Sequence, residues 1–282
     1  LIETRLRIPV VSQAPSISSI YGAPLLHIQD QPFILISQSG RSPDLLLSAE
    51  AARKAGALVI AFANDVNSPL ADLAEIVVPL HAGPEKSVAA TKSYIATLCA
   101  LAHLAGEWTE AKEARDAVTR LPDLLHAAWA NDWSAGAEML RDAQSMFVLG
   151  RGLTLGIAQE AALKCKETSG IHAEAFSMAE VVHGPMALVK PGFPLLIFPP
   201  RDSAAAGLDA IVQQFLGRDA RIAVAGGQFD RTLSLGLPEQ LDSVTAPIAM
   251  VQSFYALVNA LSVMRGYDPD RPPLLQKVTK TL

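Results

Sequence analysis

Pro32-Phe33-Ile34-Leu35-Ile36 and Pro194-Leu195-Leu196-Ile197-Phe198 open the same series of events 162 residues apart (194 minus 32). In each copy an apolar run of strand length leads into a polar turn, a helical stretch and a second apolar run, Ala57–Ala63 in the first and Ala220–Ala225 in the second. This repeat constrains the fold more than any other feature, because self-similarity at a fixed offset marks one structural unit used twice. The copies are unequal. A further strand and helix, Met146–Glu167, precede the second, whereas the chain opens on Leu-Ile-Glu-Thr-Arg, with Leu1–Arg7 reading as the end of a helix that runs into a strand over Ile8–Val11. That opening gives the expectation that an N-terminal part of the natural protein lies upstream of Leu1.

Short apolar runs recur at Phe33–Ile36, Leu58–Phe62, Ile76–Val78, Met146–Leu149, Leu195–Phe198 and Ile222–Val224. Each is apolar on both faces, as strands of a parallel sheet covered by helices must be. Helical stretches lie at Leu45–Ala55, Val88–Leu104, Ile157–Glu167, Ala204–Phe215 and Pro247–Arg265. The alternation predicts a doubly wound α/β protein with two parallel sheets. The expected division is a first domain at 1–107, a helical linker at 108–141, a second domain at 142–266 and a tail at 267–282, where Pro269, Pro272 and Pro273 preclude a regular helix at its start.

With 282 residues, 50% of them hydrophobic and 18% charged, the chain has ample material for a core, and disorder is excluded as its overall state. A net charge of −5 offers no general attraction for nucleic acid or anionic lipid, so neither is expected as a partner. Cys99 and Cys165 both lie in apolar helical stretches, the usual setting of reduced, buried thiols, which excludes a disulfide framework. No stretch approaches the roughly 20 uninterrupted apolar residues of a membrane span, and the start carries no signal-peptide core, so a cytoplasmic location is expected.

Ser37-Gln38-Ser39-Gly40-Arg41-Ser42-Pro43 follows a strand and precedes a helix. Hydroxyls, a glycine and a helix N-terminus at the carboxyl end of a parallel strand suit a phosphate dianion. Ser42 also reads simply as a helix N-cap with Pro43 at the first helical position, although that role asks nothing of Ser37 or Ser39. Gly150-Arg151-Gly152 lacks the third glycine at the spacing of a dinucleotide fingerprint, and no P-loop occurs, so no cofactor is expected.

Lys164 and Glu167 stand three apart on a helix, where each tunes the other's ionisation and both reach one substrate; a surface salt bridge is the plain alternative. This helix is otherwise apolar and leads into a turn crowded with His172, Glu174 and His183. The spacings of that cluster match no known set of metal ligands, and no metal is expected.

Ser-Gln-Ser-Gly-x-Ser, Val88-Ala89-Ala90-Thr91-Lys92, Ala162-Leu163-Lys164-x-Lys166-Glu167, Ile171-His172-Ala173-Glu174 and His183-Gly184-Pro185 occur here in one order. In that order they resemble the tandem sugar isomerase (SIS) family, which includes the isomerase half of glucosamine-6-phosphate synthase, deaminases of the same type and fructosamine-phosphate deglycases. The resemblance covers nearly the whole chain. It implies two flavodoxin-like subdomains in three α/β/α layers, and a homodimer with sites near the subunit interface.

Residue by residue, the resemblance implies that Ser37, Gln38, Ser39 and Ser42 hold a sugar phosphate, with Val88 and Thr91 closing the same pocket. Glu167 is then the base that carries a proton between C1 and C2, Lys164 assists at the developing oxyanion, and His183, a residue that the family can supply from the neighbouring subunit, opens the sugar ring. Lys277, five residues before the end, matches a tail lysine that forms a Schiff base with the open-chain ketose; by itself it is as well explained as a solubilising charge. Two positions depart from the synthase pattern, Ala90 replacing a serine and Arg41 a glutamate. These residues include no glutaminase domain and no N-terminal cysteine nucleophile. The leading expectation is therefore an isomerase that releases ammonia from glucosamine 6-phosphate to give fructose 6-phosphate. A fructosamine-phosphate deglycase and a non-catalytic sugar-phosphate sensor are the alternatives.

Overall fold

The computed structural model describes residues 1–277. The chain divides into two units, Leu1–Thr109 joined by Gln276 and Lys277, and Glu110–Leu275.

The first unit runs α1 (Ile2–Leu6), α2 (Ser16–Ser19), β1 (Pro32–Ser37), α3 (Pro43–Lys54), β2 (Leu58–Ala63), α4 (Pro69–Leu73), β3 (Ile76–Pro79) and α5 (Lys92–Trp108). Its strands form a parallel sheet in the order β1-β2-β3. Leu35, Val59 and Ala61 from the sheet pack with Ala49 and Ala52 of α3 and Leu70 of α4 to make its core. Ser37 lies opposite Ala63, so the chain leaves β1 and β2 side by side at the carboxyl edge.

The second unit runs α6 (Lys112–Thr119), α7 (Leu121–Ala130), α8 (Ser134–Leu140), β4 (Ser145–Gly150), α9 (Leu155–Ser169), β5 (His172–Ser177), β6 (Pro194–Ile197), α10 (Leu208–Leu216), β7 (Arg221–Ala225), β8 (Leu233–Leu235) and α11 (Thr245–Met264). Of the stretch expected as a linker, Trp108 and Thr109 belong to the first unit, and the rest is the three helices α6, α7 and α8 of this one. Its strands are all parallel, ordered β5-β4-β6-β7-β8. Strand order reverses between β4 and β6, the crevice at which open α/β sheets take ligands. Phe147 of β4 anchors the core, its ring edge-on to Phe176 at 5.0 Å and to Phe193 at 4.8 Å. Helix α11 is long and apolar enough to cross a membrane by length and composition, yet most of its apolar stretch is buried. It packs against α7, α8 and α9, which makes it a core helix.

The six apolar runs became β1, β2, β3, β4, β6 and β7. The expectation of a strand at Ile8–Val11 is corrected: no strand forms there, Val10 and Val11 are exposed, and Pro9 lacks the N–H that a ladder needs. The expected helix at Val88–Leu104 begins only at Lys92, where the Glu85 carboxylate takes up the Thr91 and Lys92 N–H groups. The helix expected from Ala204 begins at Leu208, after Gly207 at φ +85° interrupts the chain.

Candidate active site

In the first unit the β1–α3 turn is built from its own side chains. Ser37 Oγ accepts from the Gly40 N–H at 2.9 Å, and Ser39 Oγ accepts from the Arg41 N–H at 3.3 Å. A hydroxyl that accepts in this way still has its own proton to donate, so both serines keep a donor for an anion. Gly40 has φ +63°, and a Cβ on it would stand 2.1 Å from Ser68 Oγ, so no larger residue fits. Ser42 occupies the N-cap position of α3 with Pro43 behind it, but its side chain makes no capping hydrogen bond. Ser37, Gln38, Ser39 and Ser42 are all half-buried.

The β2–α4 turn braces this loop. Arg41 donates to Asp65 Oδ2 at 3.0 Å and to the Asn67 carbonyl at 3.1 Å. The Arg41 guanidinium, helped by the Asn67 N–H, holds the Asp65 carboxyl below the usual carboxylate range. Asn64 reaches the third loop: its Nδ2 donates to the Gly83 carbonyl, and its Oδ1 accepts from the Ala82 N–H, both at 2.9 Å. Val88 and Thr91 lie at the end of that loop, half-buried, and the Lys277 ammonium donates to the Ser87 carbonyl at 2.6 Å. One unit therefore carries every expected phosphate-side residue and Lys277.

In the second unit Lys164 lies on α9 with only 4% exposure. Its Nζ stands 2.7 Å from Glu167 Oε2 and 3.3 Å from Glu160 Oε1. Glu160 in turn accepts from the Tyr255 hydroxyl of α11 at 2.7 Å. Burial raises the Glu160 carboxyl above its ordinary range, opposed by the Lys164 charge and the Tyr255 hydrogen bond. A lysine so enclosed is not a surface salt bridge. One cation faces two carboxylates, and of the two Glu167 is the more open, with a quarter of its side chain exposed.

His183 sits on a short 3-10 turn and is exposed; among the described residues, neither hydrogen bond nor ion pair links it to Lys164 or Glu167. His172 and Glu174 approach only to 3.8 Å on the surface, and among the described residues no group of three His, Cys, Asp or Glu could hold a metal ion. Burial pushes the Cys165 thiol up to about 12 and Cys99 up to about 11, which rules out either as a thiolate nucleophile near neutrality. A shallow cleft of about 270 Å³ between α9 and β5, lined by Gln159, Lys166, Glu174 and Phe176, involves none of the expected site residues.

Sequence reasoning did not find Glu160, Tyr255 or the third-loop carboxylate Glu85. Glu160 was within reach, since it precedes Lys164 by one helical turn. Tyr255 was not, because 95 residues separate it from Glu160.

Comparison with known proteins bears on the whole chain. A relative from Thermococcus kodakarensis, a glutamine–fructose-6-phosphate aminotransferase (isomerizing), is 34% identical over 266 residues; the match takes in 89% of this chain and 44% of the relative's length. The chain thus spans less than half of that protein. Among solved structures, a candidate phosphosugar isomerase from Silicibacter pomeroyi superposes with a TM-score of 0.88 at 40% identity, covering 95% of this chain and 82% of that one. The C-terminal domain of glucosamine-fructose-6-phosphate aminotransferase from Francisella tularensis gives 0.86 at 27% identity, covering 96% and 80%. The SIS domain model matches residues 10–105 and 139–265, one segment on each parallel sheet. The chain belongs to the SIS domain family.

Proposed function

We propose that this protein is a phosphosugar aldose–ketose isomerase that acts on glucosamine 6-phosphate and releases ammonia, leaving fructose 6-phosphate. The observation that carries this reading is the Lys164–Glu167 pair, a half-buried carboxylate and a buried cation held 2.7 Å apart on one face of α9. Moving a proton between adjacent carbons asks for one carboxylate that reaches both and a positive group at the oxygen that gains charge.

The phosphate is held by Ser37, Gln38, Ser39 and Ser42, and the sugar is covered by Val88 and Thr91. His183 opens the ring. Glu167 takes the proton from C2 and returns it to C1, while Lys164 stabilises the enolamine oxygen on C1. The result is an imine at C2. Attack of the Lys277 amine on C2 expels ammonia, and water then releases fructose 6-phosphate and the free lysine. The overall balance is amino sugar phosphate plus water to ketose phosphate plus ammonia, so this direction needs water as its only co-reactant. We place the enzyme in the cytoplasm as a homodimer.

A coupled assay for ammonia and fructose 6-phosphate tests the reading, with equal amounts of both expected. Release of a free amino acid from a fructosamine phosphate instead would identify a deglycase. Sugar-phosphate binding without turnover, unchanged by Glu167→Gln, would identify a sensor.

A further inference from the structure

Helix α5 begins in an unusual way. Thr91 stands at its N-cap with φ −136° and ψ −55°, yet its side chain makes no capping bond. Threonine at this position normally satisfies the first free N–H groups with its own hydroxyl. Here Glu85, six residues upstream, does so instead. Its Oε1 accepts from the Thr91 and Lys92 N–H groups, both at 2.7 Å, and its Oε2 accepts from the Ser93 hydroxyl. Lys92 Nζ donates back to the Pro84 carbonyl at 2.6 Å. Segment 84–93 is thereby closed on itself, and everything between is presented as one loop.

Two consequences follow for the anion and for the amine. A helix N-terminus attracts negative charge, and α5, with 17 residues, has a full macrodipole. Glu85 already occupies it. The phosphate assigned above to the β1–α3 turn, with donors at Ser37 and Ser39, therefore does not draw on this helix N-terminus. Within the closed loop, the Ser87 carbonyl carries the Lys277 ammonium at 2.6 Å, and Val88 and Thr91 follow directly. Burial raises the Glu85 carboxyl, but the Ser93 hydroxyl and the Thr91 and Lys92 N–H groups outweigh it, so the group stays ionised at neutral pH.

We propose that Glu85 is a positioning residue: it fixes the loop that presents Val88 and Thr91 and, through the Ser87 carbonyl, sets where the Lys277 amine rests. It touches no reacting atom. By capping α5 in place of Thr91 it also leaves the Thr91 hydroxyl free of that duty. The inference rests on the reading of Val88, Thr91 and Lys277 given under Proposed function.

The test uses the whole chain, with fructose 6-phosphate and sodium borohydride as probes. Condensation of the Lys277 amine with the C2 carbonyl expels water, and hydride reduces the resulting imine to a stable secondary amine that peptide mass mapping locates. In Glu85→Ala and Glu85→Gln, modification of Lys277 should slow by about tenfold or more, since misplacement by an ångström is costly. Binding of inorganic phosphate should remain within about twofold in both variants, a split that a general loss of structure would not produce. Glu85→Gln keeps the side-chain volume and serves if the alanine variant does not fold. Wild-type modification rates in the folded variants, or equal loss of phosphate binding and Lys277 modification, would overturn the inference alone. No modification of Lys277 in the unaltered protein would overturn it together with the functional reading beneath it.

Discussion

The ammonium of Lys164 stands 2.7 Å from the Glu167 carboxylate inside a helix face where Lys164 is almost fully buried. Removing one member of a buried pair leaves the other's charge without compensation. Lys164→Met should therefore lower stability by about 3–5 kcal/mol, less whatever Glu160 recovers by taking a proton. Urea unfolding midpoints measure the loss, and a change within a few tenths of a kcal/mol would show that the pair is not held as described.

Tyr255→Phe removes the hydroxyl that donates to Glu160 and leaves a buried carboxylate short of a partner. The cost should be about 1–3 kcal/mol. Turnover should also fall, because Lys164 is then drawn toward the unsatisfied Glu160 and away from Glu167. Unchanged kcat in a folded variant would show that the phenol does not act on the pair.

The two glutamates that anchor these sites should shape the pH dependence of stability in opposite senses. Glu160 is raised in the folded state, so its contribution is lost as pH rises above 4.5, the value for an ordinary glutamate. Glu85 is lowered, so its contribution is present above 4.5 and is lost as pH falls below it. Glu160→Gln should accordingly flatten the fall in stability on the alkaline side of 4.5, and Glu85→Gln the fall on the acid side. Unfolding midpoints between pH 3 and 7, about the range in which such carboxylates titrate, give both slopes.

Ser37→Ala and Ser39→Ala each remove one hydroxyl donor from the β1–α3 turn. A hydrogen bond to a charged group contributes about 1.5–3 kcal/mol, so each change should weaken sugar-phosphate binding by roughly tenfold to a hundredfold. Gly40→Ala should be more damaging, since its Cβ would meet Ser68 Oγ at 2.1 Å on a backbone already at φ +63°. Calorimetric titration compares the three with the unaltered protein, and affinity unchanged in all of them would remove the turn from the site.

What the sequence made legible follows from range. Strands β1, β2, β4, β6 and β7 are apolar on both faces and stand out from their surroundings. Strand β5 does not: it lies at the sheet edge, and His172 and Glu174 interrupt its apolar pattern. Strand β8 has only three residues. Ser37–Ser42 and Lys164–Glu167 were visible because each lies within about two turns of chain. The Glu85 cap is as local, but its loop has no regular period to announce it; the Arg41–Asp65 clamp and the Tyr255–Glu160 bond join residues that no local pattern connects. Each was found only once the chain had folded back on itself.

Whether Glu167 moves the proton is decided by following glucosamine 6-phosphate with the unaltered protein and with Glu167→Gln, recording ammonia, fructose 6-phosphate and substrate affinity together. The unaltered protein should release both products in equal amounts. In the variant turnover should be lower by about a hundredfold or more with affinity nearly unchanged, the mark of a lost general base. No turnover by the unaltered protein at saturating substrate, or wild-type turnover in Glu167→Gln, would contradict the proposed mechanism.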